Sequence, residues 1–128
     1  MTDQIISYKV AVLAKAKGLP VGHESVYLSS DQSKPWNLDY VKDVSLVGEI
    51  YAAPTQSGLA KWLREKHNIS AEVNICVDTT YGYSIYLIHK EKHFTEEVIN
   101  FYYTDNYDYE VAMEQVLEES LKLLNDEK

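Results

Sequence analysis

Ala53-Pro54-Thr55-Gln56-Ser57-Gly58-Leu59-Ala60-Lys61-Trp62-Leu63-Arg64-Glu65-Lys66-His67-Asn68-Ile69 is the stretch on which the fold turns. Pro54 presets a helical φ for a first turn, and the Thr55 oxygen can accept an unpaired backbone N–H. Leu59, Trp62 and Leu63 then recur at three- and four-residue spacing on one face, with Lys61, Arg64 and Glu65 pointing elsewhere. Asn68 tolerates the left-handed backbone that ends helices, and Ile69 can fold back on the last turn. The stretch therefore predicts one helix with a start and a stop, anchored in a core by Trp62.

Downstream, the period changes from helical to alternating. Ala71, Val73, Ile75 and Val77 alternate with Glu72, Asn74 and Cys76, as in a half-buried strand. Asp78 to Gly82 is turn-like, and Tyr83 to Ile88 returns as a strand with Tyr83, Ile85 and Leu87 on one side. His89 to Phe94 reads as a second polar turn, and Val98 to Tyr103 as a third strand, although Thr95-Glu96-Glu97 could instead open a helix. Asp108 is placed to cap a last helix whose apolar stripe is Tyr109, Ala112, Met113, Val116, Leu117, Leu121 and Leu124. Glu110, Glu114, Glu118 and Glu119 take its solvent side, with Glu118 spaced to pair with Lys122.

Upstream, Thr2 or Asp3 is expected to cap a first helix over about Asp3 to Lys17, which Gly18-Leu19-Pro20 closes. Val26-Tyr27-Leu28 suggests a short strand and Ser29 to Pro35 a polar turn. Residues from Trp36 to Val47 fit neither period cleanly, with an irregular edge strand possible over Leu38 to Asp43.

The fold expected is α+β. It is two-layered, with a small antiparallel sheet of about three to four strands packed in an α-β-β-β-α second half, plus an N-terminal helix. At 128 residues, 1–128 is expected to form a single domain without a separate linker. Its core is expected to contain Leu59, Trp62, Val73, Ile75, Ile85, Leu87, Phe101, Val116, Leu117 and Leu121. The opposite sheet face, with Cys76, Tyr86, Ile88 and Tyr102, is too apolar for plain solvent surface and needs a cover, from the first helix or from a partner.

Three pieces of the chain carry a likeness to known sequences. They are Pro54-Thr55-Gln56-Ser57 with Lys61-Trp62-Leu63-Arg64-Glu65 and His67-Asn68-Ile69; Ala14-Lys15-Ala16-Lys17-Gly18; and Asp108-Tyr109-Glu110-Val111-Ala112-Met113 leading to Leu121-Lys122-Leu123-Leu124. Together they resemble a family of short proteins encoded in phages and prophage regions of gut bacteria. Gly58 departs from that pattern and weakens its helix by about 1 kcal/mol relative to alanine. The family has no assigned activity, so the resemblance implies a source and a fold and no mechanism.

Charge and composition narrow the function classes. Twenty acidic against twelve basic residues give a formal net charge of −8, which disfavours binding to phosphate backbones. From Phe101 to Lys128 there are eight acids and two bases. The chain has one cysteine, Cys76, so neither an internal disulfide nor a cysteine-rich metal site is expected, and a reducing cytoplasm of a bacterial host is the expected setting. Ile5 to Ala14 is interrupted by Lys9, so neither a signal peptide nor a membrane span is expected. Eleven tyrosines are present, and tyrosine both fills strands and populates recognition surfaces.

Chemistry-bearing patterns are sparse. His89 and His93 are four apart, but at a strand end and turn, with Glu91 the only neighbouring donor, so no metal is expected. His67 reads as a helix-end residue, and Cys76, mid-strand, as a small buried hydrophobe. No phosphate loop, nucleophile elbow or calcium loop occurs, so no cofactor and no enzymatic activity are expected. The basic Lys61, Arg64, Lys66 and His67 beside Trp62 resemble a nucleic-acid patch, and the helix–strands–helix order resembles double-stranded RNA-binding domains. The latter place lysines where Asp105, Asp108 and Glu110 stand here. The expected function is a non-catalytic protein-interaction module with an unidentified host or phage protein as partner, through Tyr86, Ile88, Tyr102, Lys61 and Arg64. An acidic decoy for a basic nucleic-acid-binding host protein is the alternative, nucleic-acid binding by residues 61–67 is a weaker one, and the apolar second face allows a homodimer.

Overall fold

The computed structural model describes residues 4–20, 25–29, 31–37, 49–75, 78, 80–106 and 108–124, with backbone alone at 31–33 and 100–106. The fold is α+β, and the chain forms two compact units, Met1–Thr55 with Leu124–Lys128, and Gln56–Leu123.

The Gln56–Leu123 unit carries the expected α-β-β-β-α order: α2 (Gln56–His67), β4 (Ile69–Ile75), β5 (Tyr81–His89), β6 (Phe94–Asn106) and α3 (Tyr109–Lys122). Asn68 takes a φ of 55°, so α2 stops there and β4 starts at once on buried Ile69. The sheet is antiparallel with β5 in the centre. Ile69, Ala71, Val73 and Ile75 stand opposite Leu87, Ile85, Tyr83 and Tyr81. Helix α3 crosses all three strands, and α2 packs on β4 and on α3, so both helices cover the same sheet face. That face is the odd-numbered one of β5, because the Tyr81 ring meets that of Tyr109 on α3.

Strand β6 runs to thirteen residues, longer than Val98 to Tyr103, and takes in Thr95, Glu96 and Glu97, which face Ile88, Leu87 and Tyr86 in the ladder rather than starting a helix. It carries extra residues at three register shifts, and such bulges increase local twist and break the period-two alternation. Ile99 is thereby opposite Ile85, and Tyr102 opposite Tyr83.

Leu59, Leu63, Ile69, Ile85, Val116, Leu117 and Leu121 are fully buried. Three expected core residues, Trp62, Val73 and Leu87, are only half-buried, and Ile75 is 65% exposed. The side chain of Phe101 lies outside the described residues. Trp62 packs edge-on to His67 at 4.7 Å near the end of α2, so the anchor of that helix is Leu59 with Leu63. The helices also bury polar groups that an apolar stripe does not register. The Gln56 amide donates to the Glu110 carbonyl at 2.9 Å, and Ser120 Oγ donates to the Val116 carbonyl at 2.7 Å. These bonds satisfy groups that would otherwise be costly to remove from water.

The other unit contains α1 (Tyr8–Ala16), β1 (Ser25–Leu28), β2 (Asp31–Asn37) and β3 (Ile50–Ala52). The first helix starts later than Asp3, with Ser7 Oγ accepting the Val10 N–H. Ile5 bridges to Thr55 and the Ile6 N–H donates to the Pro54 carbonyl, which draws these two residues into extended pairing. Its end is as expected: Gly18 has a φ of 99°, and the Leu19 and Gly18 N–H groups donate to the Ala14 and Lys15 carbonyls. That pair of bonds satisfies carbonyls that the helix itself cannot. Asp31 to Asn37 is a strand, so most of the turn expected over Ser29 to Pro35 is extended. Strand order β2-β1-β3 makes β2 an edge, and an edge position tolerates the missing N–H of Pro35. Val26 and Leu28 are buried there with Trp36 and Ile50 packed on them. Lys17 is buried, and its ammonium donates to the Leu124 carbonyl at 2.7 Å. The edge strand expected over Leu38 to Asp43 lies outside the described residues.

Candidate interaction surface

Among the described residues, the two ends of the Gln56–Leu123 unit differ in chemistry. At one end α2 finishes and the β5–β6 hairpin turns through a 3-10 segment, Lys90–Lys92, with His93 left-handed at φ 56°. Asn68 joins helix end to hairpin, its carbonyl accepting the Ile88 N–H at 2.7 Å. A cleft of about 350 Å³ lies here, lined by Asn68, Ile88, His89, Lys90, Glu91 and Lys92. The His89 ring stacks on Phe94, 4.6 Å between centroids, and its Nε2 is 3.0 Å from Glu96 Oε1. His93 is not part of the cleft lining, and the described lining residues offer no hydroxyl or thiol for nucleophilic chemistry. No group of three or more His, Cys, Asp or Glu among the described residues is arranged to hold a metal ion.

At the opposite end the odd face of the sheet emerges from under the start of α3. Ile75, last residue of β4, is the cross-strand partner of Tyr81, and Tyr81 meets Tyr109 edge to face, 5.6 Å between centroids at 82°. Tyr109 is 38% exposed rather than part of the buried stripe. Asp108 caps α3 as expected, its Oδ1 accepting the Glu110 and Val111 N–H groups. Asp78 Oδ1 accepts the Thr80 hydroxyl at 2.5 Å and its N–H at 3.3 Å. The result is a strip of one aliphatic and two phenol side chains, with Asp108 and Glu110 flanking Tyr109 in the sequence.

Of the surface residues expected from sequence, Lys61 and Arg64 stand on α2 and Tyr86 and Ile88 on β5. Lys61 and Arg64 are exposed on α2, where Lys61 lies 4.0 Å from Glu65, and an exposed pair of this kind contributes little. Tyr86 and Ile88 are half-buried on β5, opposite Glu97 and Thr95. Tyr102 is opposite Tyr83, three residues before Tyr86 on β5, and its side chain lies outside the described residues, as does Cys76. Ile75, Tyr81 and Tyr109 were not singled out as surface. The available signal was their company: Ile75 closes a strand just before Asp78, and Tyr109 stands between Asp108 and Glu110.

A third cluster sits in the other unit. Tyr8 packs edge to face on both Tyr27 and Tyr51, the Tyr51 hydroxyl donates to Glu49 at 2.7 Å, and Lys15 lies 4.8 Å from the Tyr51 ring centroid and 3.6 Å from Glu49. The Glu49 hydrogen bond, with some loss of hydration, pushes the Tyr51 hydroxyl up to about 12. The Tyr51 bond and the Lys15 charge hold the Glu49 carboxyl below its ordinary value. The cluster fastens α1 to β3, and its cation, carboxylate and phenol satisfy one another.

No helix among the described residues is long and apolar enough to cross a membrane. No model of a known family, no curated protein and no solved structure matches the chain.

Proposed function

We propose that the chain is a non-catalytic protein-interaction module, of phage or prophage origin, that works on a host or phage protein in the cytoplasm of a bacterial host. The observation that carries this reading is the strip at one end of the sheet in which exposed Ile75 and Tyr109 flank half-buried Tyr81. Contact surfaces favour tyrosine, which supplies apolar area with a polar tip. The likeness of residues 54–69 to phage and prophage proteins supports the source. The test is capture by the tagged chain from lysates of uninfected and infected host cells, washed at low and at high salt. A discrete partner still held at high salt, in reduced amount, is the expected result, because screening weakens charge pairing but does not release an apolar contact. Failure to retain any partner from either lysate refutes the reading. The acidic decoy is kept as a second reading because eight acids face two bases from Phe101 to Lys128; a partner lost entirely at high salt would select it.

A further inference from the structure

The geometry points to a partner of definite chemistry for the end of the Gln56–Leu123 unit: a lysine- or arginine-bearing apolar segment of another protein, seated on Ile75, Tyr81 and Tyr109. This inference rests on the reading of the chain as an interaction module and deepens it. Three observations converge. Ile75 is 65% exposed although its cross-strand neighbour Tyr81 is held against the first residue of α3, so the apolar face continues past its helical cover. Asp78 and Asp108 are each fixed through Oδ1 by local N–H or hydroxyl donors, which gives the strip carboxylates of defined position. No lysine or arginine occurs between residues 67 and 89 or between 93 and 121, so the sequence supplies no cation of its own along β4, the centre of β5, most of β6 or most of α3.

An occupant that covers Ile75 brings apolar groups, and one that also brings cations meets Asp108 and Glu110 on either side of Tyr109 in the chain. Lysine and arginine suit the phenol rings as well, since their stems lie along apolar surface and their charged heads are attracted to ring faces. A second copy docked by this same end would set its acids against these acids, and nucleic acid would bring further negative charge; both are disfavoured by like-charge repulsion.

The test uses the full chain and three short labelled peptides read by fluorescence anisotropy. One alternates lysine with leucine, one alternates lysine with serine, and one alternates glutamate with leucine. The chain is expected to bind the lysine–leucine peptide about tenfold or more tighter than either control, and Ile75→Ser or Tyr109→Ser to weaken it by about fivefold or more. Asp78→Asn with Asp108→Asn keeps the local hydrogen-bond acceptors, so the fold persists, and is expected to weaken binding and flatten its salt dependence. Glu118→Gln with Glu119→Gln, late in α3, is expected to change nothing. Unchanged melting of each variant separates lost binding from lost folding. The inference is overturned if the Ile75 and Tyr109 variants bind as the parent does. It is equally overturned if the Glu118 and Glu119 variant loses as much, or if the chain sediments as a dimer that Ile75→Ser dissociates. A partner still retained in the capture experiment would then leave the module reading standing.

Discussion

Asn68 is the joint on which the unit closes, and replacing it tests the account of the fold most directly. Its backbone sits at φ 55°, ends α2, and presents its carbonyl to the Ile88 N–H at 2.7 Å. A residue with a Cβ loses about 1–2 kcal/mol in this conformation, asparagine less because its side chain can bond locally. Asn68→Ala should therefore cost about 1 kcal/mol and Asn68→Val about 2 kcal/mol, since branching at Cβ crowds the left-handed region further. Asn68→Gly removes the steric cost but returns about 0.4–1 kcal/mol through a freer unfolded chain, leaving a small net change. With a urea slope of about 2 kcal/mol/M, the valine variant's midpoint should fall by about 1 M and the glycine variant's hardly at all. Trp62, edge-on to His67 one residue before the joint, reports the transition by fluorescence in a Trp36→Phe background. If the valine and glycine midpoints coincide within about 0.2 M, the left-handed turn does not carry the helix-to-strand junction, and the reasoning fails.

Two further outcomes follow from burial and charge. Leu63→Ala, at a fully buried site, should cost about 2–5 kcal/mol in calorimetric melting, whereas Ile75→Ala should stay within about 0.5 kcal/mol although both are apolar positions of regular elements. Tyr51, whose hydroxyl is pushed up to about 12 from an ordinary 10.0, resists ionisation in the folded chain; this contribution is fully present below pH 10 and disappears as pH rises through the folded value. Ultraviolet titration should show one late-ionising tyrosine that is lost in Tyr51→Phe and moved back toward the ordinary value in Glu49→Gln. Coincidence of all tyrosine ionisations near the ordinary value would contradict the Tyr51–Glu49 bond.

Local signals proved legible wherever a single residue's chemistry decides a boundary. Asn68, Gly18 and Asp108 each end or start a helix where the sequence says so, because positive φ and side-chain capping depend on immediate neighbours only. The period-two patterns gave three strands in the right order for the same reason. What was not legible depends on residues far apart in the chain. Ser29 to Pro35 reads as a polar turn, yet Asp31 to Pro35 belong to a strand because Val26 offers Trp36 a partner. The start of α1 recedes to Ser7 because Ile5 and Ile6 are drawn to Thr55 and Pro54. Bulges in β6 place Tyr102 opposite Tyr83, which no alternation count could reveal.

The surface strip shows the same limit in the opposite direction. Ile75 reads as core and Tyr109 as part of the apolar stripe of the last helix, since period alone does not say where one element outruns the next. Their acidic company is a weaker guide than it looks. Asp108 satisfies N–H groups of α3, Asp78 holds Thr80, and Glu110 is favoured by the positive end of the helix, so each carboxylate has a reason within the fold. Ile75 has none: its cross-strand pairing would survive with a polar side chain, and its exposed surface gives up roughly 25 cal/mol for every Å² of apolar area left in water. The case for a partner therefore stands on the uncovered aliphatic and phenol groups, and the surrounding charge serves to say what kind of partner it must be.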